Sequence, residues 1–116
     1  MSGRMSREKG KRGERYVSHL LQEHGFDTSR SAQFCGKTGQ AADVVGLPHI
    51  HIEVKFQERM TLYDWMRQAV EDSTANGEGN IPTVFHKQNR KDLLVTMRFE
   101  DWMKLYEGWL CRQEET

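Results

Sequence analysis

The sequence has little that would send it to a membrane or an oxidising compartment. No apolar run approaches the roughly 20 residues that span a bilayer, and the basic first fifteen residues lead into no apolar stretch with a cleavage site, so no secretory signal is expected. Cysteine is scarce. Cys35 and Cys111 lie far apart and neither belongs to a C-x-x-C pair, which argues against a zinc knuckle and for a free-thiol, cytoplasmic protein. Net charge is missing too: 17 basic and 17 acidic residues cancel, which taken alone argues against a nucleic-acid partner. Hydrophobic residues at 36% and charged ones at 29% fit a globular chain rather than a disordered one, and 116 residues suffice for one domain with one core.

The charge is segregated, however. Residues 1–15 carry Arg4, Arg7, Lys9, Lys11, Arg12 and Arg15 against Glu8 and Glu14, a surplus of four. From Glu100 onward Glu100, Asp101, Glu107, Glu114 and Glu115 face Lys104 and Arg112, a deficit of three. A neutral molecule can therefore carry a basic patch. Residues 1–10 read as a flexible basic arm and 11–116 as a single domain.

Apolar spacing orders the chain. Tyr16, Val17, Leu20, Leu21 and His24 mark a helix over 11–24, with Gly25 as its stop. A short strand over 26–30 and a loop over 31–42 follow. The strand "DVVGL" (43–47) turns through Gly46 to His49 into "HIHIEVKF" (49–56), which predicts an antiparallel hairpin. Leu62, Trp65, Met66, Ala69, Val70 and Ser73 form a helical stripe over 61–73, and Thr61 with Asp64 resembles a capping box. Strands over 82–87 and 92–97 precede a last helix over 100–111, expected to bury Trp102, Met103, Leu105, Tyr106, Trp109 and Leu110 in the core or in a subunit interface. The predicted order is α-β-β-β-α-β-β-α, a mixed sheet flanked by helices in the α/β or α+β class.

In "HIHIEVKF" the apolar residues Ile50, Ile52, Val54 and Phe56 alternate with His49, His51, Glu53 and Lys55. Period two puts the second set on one face. A hairpin returning through Gly46 sets Asp43 beside Glu53, and Glu14 can approach from the first helix. Two carboxylates about 5 Å apart at an effective dielectric near 20 repel by roughly 3 kcal/mol. Lys55 offsets part of that. A divalent cation offsets more, and an oxygen-only set suits Mg²⁺ or Mn²⁺. The blander alternatives are a solvated strand face, an H-x-H zinc site of His49, His51 and Glu53, and exposed histidines near a turn. Of the two histidine readings, the exposed pair is favoured, because no third imidazole is near. The loop "GKTG" (36–39) lacks the spacing of a phosphate-binding P-loop and reads as a flexible loop that closes over a ligand.

"DVVGLPHIHIEVK" resembles the D-x(n)-E-x-K motif of the PD-(D/E)XK nuclease superfamily, with Asp43, Glu53 and Lys55 in the three motif positions. "KGKRGERYVSHLLQEHGFDTSR" is similar to the opening of its Holliday junction resolvase-like branch, with Glu14 matching a helix glutamate of the metal site. The resemblance covers roughly residues 9–97. Ala42 stands where a proline often precedes the aspartate, and "WMRQA" is similar to the glutamine-bearing helix of other branches, which brings in Gln68.

The resemblance implies a restriction-endonuclease-like fold and Mg²⁺-dependent hydrolysis of phosphodiester bonds in branched DNA, with Mn²⁺ as a substitute. Asp43, Glu53 and Glu14 would hold the metal. Lys55 would orient water or stabilise the phosphate, and Gln68 would help position water or DNA. Arg12, Arg15, Arg30 and Lys37 are candidates for backbone phosphates. Symmetric resolution needs two sites, hence a homodimer. The alternatives are another nuclease of the superfamily (virus-type replication–repair, nicking or flap, from a phage or mobile element), a catalytically silent structured-DNA-binding module, and a partner-binding subunit using its aromatic last helix.

Overall fold

The computed structural model describes residues 3–31 and 41–115, with side chains from Arg7 onward. Lys37 and the "GKTG" loop lie outside the described residues. Helix α1 (Gly3–Glu23) is followed by β1 (Ser29–Arg30), β2 (Val44–Val45), β3 (Ile50–Phe56), α2 (Leu62–Asn76), β4 (Ile81–Lys87), β5 (Leu94–Met97) and α3 (Phe99–Glu114). This is the order expected from the apolar spacing. The five strands lie in chain order across one sheet. Pairing is antiparallel for β1–β2, β2–β3 and β4–β5, and parallel for β3–β4. Helix α2 is the crossover that a parallel pair requires.

Strand register decides which helix meets which face. Val54 pairs with Phe85 and Ile52 with Thr83; Ile52, Val54, Val44, Phe85 and Val17 of α1 form one core cluster. On the other face Glu53 pairs with Val84, and Val84 packs under Trp65 and Ala69 of α2. The ionisable face of β3 is thus roofed by α2.

Two glycines permit the close approaches that set this arrangement. Gly46 has φ +106°, and a Cβ there would lie 2.2 Å from the Asp27 carbonyl oxygen, so the β2–β3 turn accepts no side chain at this position. Gly13 brings α1 onto β3: a Cβ would meet Phe56 Cγ at 2.8 Å. Gly13→Ala gains about 1 kcal/mol of helix propensity but overpacks the ring at a cost of about 1–3 kcal/mol. The expected result is a net loss of about 1 kcal/mol and a lowered melting temperature by circular dichroism; a raised one would mean that the ring yields.

Three expectations are corrected. Residues 3–10 are the first turns of α1, not an arm, because Arg, Lys, Met and Glu are good helix formers and the chain contains no proline there. Thr61 makes no side-chain capping bond; Asp64 instead accepts a 3.2 Å bond from Arg67. The largest correction concerns α3. Only Asp101 is buried on it, while Trp102 is 49% and Trp109 54% exposed. Beyond its first turn α3 has no extensive packing against the other elements of the described residues, and its exposed aromatic stripe is not core.

Candidate active site

Val44 pairs with Ile52 across the hairpin, and the Asp43 amide donates to the Ile52 carbonyl at 2.8 Å. Asp43 therefore falls level with Glu53. Its carboxylate accepts the Val54 amide at 2.8 Å and also lies within hydrogen-bonding reach of the Glu53 carboxyl. Glu53 is 2% exposed. Burial first, then the charge and hydrogen bonding of Asp43 and of Asp72, push its pKa up to about 10. Glu53 consequently holds a proton at neutral pH when no cation is bound.

His51, 1% exposed, lies 3.1 Å from Glu53 through Nε2. Burial lowers its pKa, so the contact is a hydrogen bond between neutral groups rather than an ion pair. This corrects the expectation of an exposed His51. His49 is the one that is exposed, in the turn with φ 69°, and the two do not form a zinc site. Lys55 shares the α2 face with Glu53, and its Nζ donates to Gln68 Oε1 at 3.0 Å. The structure thus brings Asp43, Glu53, Lys55 and Gln68 onto one flank of the sheet.

Glu14 approaches from α1, near enough for the Asp43 charge to act on it; burial is the main cause raising its pKa, opposed by a hydrogen bond from Arg30. That bond is 2.9 Å long, so Arg30 is engaged with Glu14. Arg12 and Arg15 are exposed on α1. Because α1 starts at Gly3, Arg7, Lys11 and Arg15 recur at four-residue intervals along one exposed side.

Asp72 was missed in the sequence. It lies one turn beyond Gln68 on α2 and hydrogen-bonds Glu53. The signal available was its i+4 spacing from Gln68, which places both on one helix side. Among the described residues, no three His, Cys, Asp or Glu side chains stand as a ready ligand set. The donor chemistry nonetheless fits a hard cation: Asp43, Glu53 and Asp72 are all oxygen donors, gathered so closely that a proton is held between them.

A buried carboxyl cluster with a lysine on the same strand face, at β3 of a mixed sheet, has the residue types and order of the PD-(D/E)XK nuclease motif. Residues 5–114 match the family described as "Phage putative PDDEXK endonuclease", and the chain belongs to that family. It is a nuclease by that membership. Among solved structures it is similar to Hjc, a Holliday junction resolvase from the archaeal hyperthermophile Archaeoglobus fulgidus, at 28% identity and a TM-score of 0.57, covering 77% of this chain and 72% of that one. A search of the curated proteins found no match. Among the described residues, no helix is long and apolar enough to cross a membrane.

Proposed function

We propose that this chain is a divalent-metal-dependent endonuclease that cuts branched DNA, in the manner of a Holliday junction resolvase, and works as a homodimer. The observation that carries the reading is the meeting of the Asp43 and Glu53 carboxyls on the face that bears Lys55. The likeness to a resolvase at 28% identity supports the choice of substrate.

Asp43 and Glu53 would hold the cation, Mg²⁺ or Mn²⁺, with Glu14 and Asp72 beside them. The cation would lower the pKa of a water and neutralise charge developing on the phosphate. Lys55, steered by Gln68, presents its ammonium to the attacked phosphate or to the attacking water. His51 fixes the Glu53 carboxyl in place. The basic row of α1 meets the DNA backbone, where contacts give affinity and salt dependence without sequence choice.

The test is Mg²⁺-dependent cleavage of a four-way junction, a flap and a linear duplex. Paired symmetric cuts in the junction are expected. Preference for the flap would reassign the substrate, and junction binding without any cleavage would make the chain a binding module. A second prediction concerns the helix: Arg7→Ala, Lys11→Ala and Arg15→Ala together are expected to weaken junction binding and flatten the log–log salt slope by about 3, near 0.9 per lost phosphate contact. An unchanged slope in a salt titration would move the DNA elsewhere.

A further inference from the structure

In the first turn of α3, Asp101 is buried, accepts from the N-cap residue Arg98 at 3.1 Å and lies 3.8 Å from Lys104. Beyond it the helix shows solvent a continuous aromatic ladder. The rings of Trp102 and Tyr106 stack with centroids 5.2 Å apart and planes 14° apart, and Trp109 continues the ladder at 5.8 Å from Tyr106. Leu105 and Phe99 are exposed beside it. An apolar cavity of about 330 Å³, lined by Leu62, Tyr63, Met66 and Phe99 among others, extends the surface at the base of the helix. Isolated exposed apolar residues need no account; a contiguous strip of this size does.

We propose that this face of α3 docks against the same face of a second copy of the chain, with the two helices antiparallel about a twofold axis. This deepens the paired-site reading above, on which its functional meaning rests, by naming the surface that joins the sites. Area is the first argument. Large side chains that can each bury about 150–250 Å², roughly half of it still exposed here, offer on the order of 500 Å² per copy. A standard interface uses about 800 Å² per partner, so the ladder with its neighbouring cavity supplies most of one.

The pattern is the second argument. Trp102-x-x-Leu105-Tyr106-x-x-Trp109 has the same spacing read from either end. With the axis between positions 105 and 106, each Trp102 stands level with Trp109 of the other copy, and each Leu105 with Tyr106. A twofold contact must be self-complementary in this way. Antiparallel pairing also sets opposite ends of the two helix dipoles together. Charge speaks against the other occupants: α3 carries Glu100, Asp101, Glu107 and Glu114 against Lys104 and Arg112, which repels DNA and anionic lipid, and the Trp102 and Tyr106 rings are already stacked on each other.

The test is the mass of the full chain in solution without DNA. At about 50 µM, well above the micromolar dissociation constant of a modest interface, light scattering on a sizing column should give twice the 13.6 kDa of one chain. Trp102→Glu with Trp109→Glu, both at exposed positions, should give monomer with an unchanged far-ultraviolet circular dichroism spectrum and at least a hundredfold weaker association. With the native cysteines replaced by serine, Leu105→Cys should form a disulfide-linked dimer and Glu107→Cys, on the opposite side of the helix, should not. A monomeric parent chain, a dimer that survives the double charge change, or cross-linking through position 107 in place of 105 would overturn the proposal. So would a parent monomer whose ladder binds anionic vesicles or single-stranded DNA. A dimer that dissociates as expected but leaves junctions uncut would sink the resolvase reading and leave this interface standing.

Discussion

Replacing Glu53 by glutamine is expected to leave the fold intact and remove cleavage. In the cation-free chain the Glu53 carboxyl is buried, protonated and hydrogen-bonded among Asp43, Asp72 and His51. Glutamine has the same shape and is also neutral, with one acceptor and a donor group to offer. The expected change in stability is therefore small, within about 1 kcal/mol. What glutamine cannot supply is an anionic oxygen for a hard cation, and cleavage should fall at least about a hundredfold, the scale seen when one electrostatic partner of a phosphoryl or acyl transition state is removed. Calorimetry in chelator and turnover on a four-way junction check the two halves. Retained activity would remove Glu53 from the site, and a collapsed melting temperature would mean that the buried carboxyl is ionised after all.

The second large effect is a stability that falls as pH rises. Glu53 has an ordinary pKa of 4.5 and a folded value of about 10, so between these the folded chain binds more protons than the unfolded one. Stability is then lost with increasing pH, by up to about 1.4 kcal/mol per pH unit for one proton. Glu14, also raised, acts in the same direction just above its ordinary value. The lowered His51 and His86 act oppositely: they cost stability at low pH, and that cost disappears as pH rises through the ordinary histidine value of 6.5. The two effects compete below pH 6.5, and the loss from Glu53 stands alone between about 7 and 9. There the melting temperature in chelator should drop by about 4 °C or more for each kcal/mol lost. Added Mg²⁺ should restore it, and by more at pH 9 than at pH 7, because the cation takes the place of the proton. Asp72→Asn should flatten the slope by removing one of the acids that hold the proton on Glu53. A melting temperature that is level or rises from pH 7 to 9 would contradict the cluster.

Much of this architecture was legible in the chain. The alternation of Ile50, Ile52, Val54 and Phe56 gave β3 and its ionisable face, since a strand has only two sides. The turn at Gly46 gave the hairpin, and the hairpin brought Asp43 to Glu53. What stayed hidden lies one level higher. Residues 1–10, basic and holding Gly3 and Gly10, look like a loose arm until α1 is seen to start at Gly3, and only the structure shows Phe56 pressed against Gly13. Spacing alone shows that α3 has an apolar side but not whether its own sheet or another molecule covers it. Asp72 can be assigned to a helix side from the sequence, yet its meeting with Glu53 follows from the β3–α2–β4 crossover laying α2 over the ionisable face. His51 reads as exposed because it lies close to the turn at Gly46 to His49, whereas the helix that roofs its strand face, α2, begins only at Leu62.

The bond from the Val54 amide to the Asp43 carboxylate has a consequence for any genetic dissection of the chain. That side chain closes a gap in the ladder between β2 and β3 as well as facing Glu53. Truncating it to alanine strands a main-chain donor inside the protein, at a cost of about 1–3 kcal/mol. An inactive Asp43→Ala protein thus confounds damage to the scaffold with damage to the chemistry. The glutamate two strand positions from Lys55, whose amide analogue the scaffold tolerates, is the cleaner knockout.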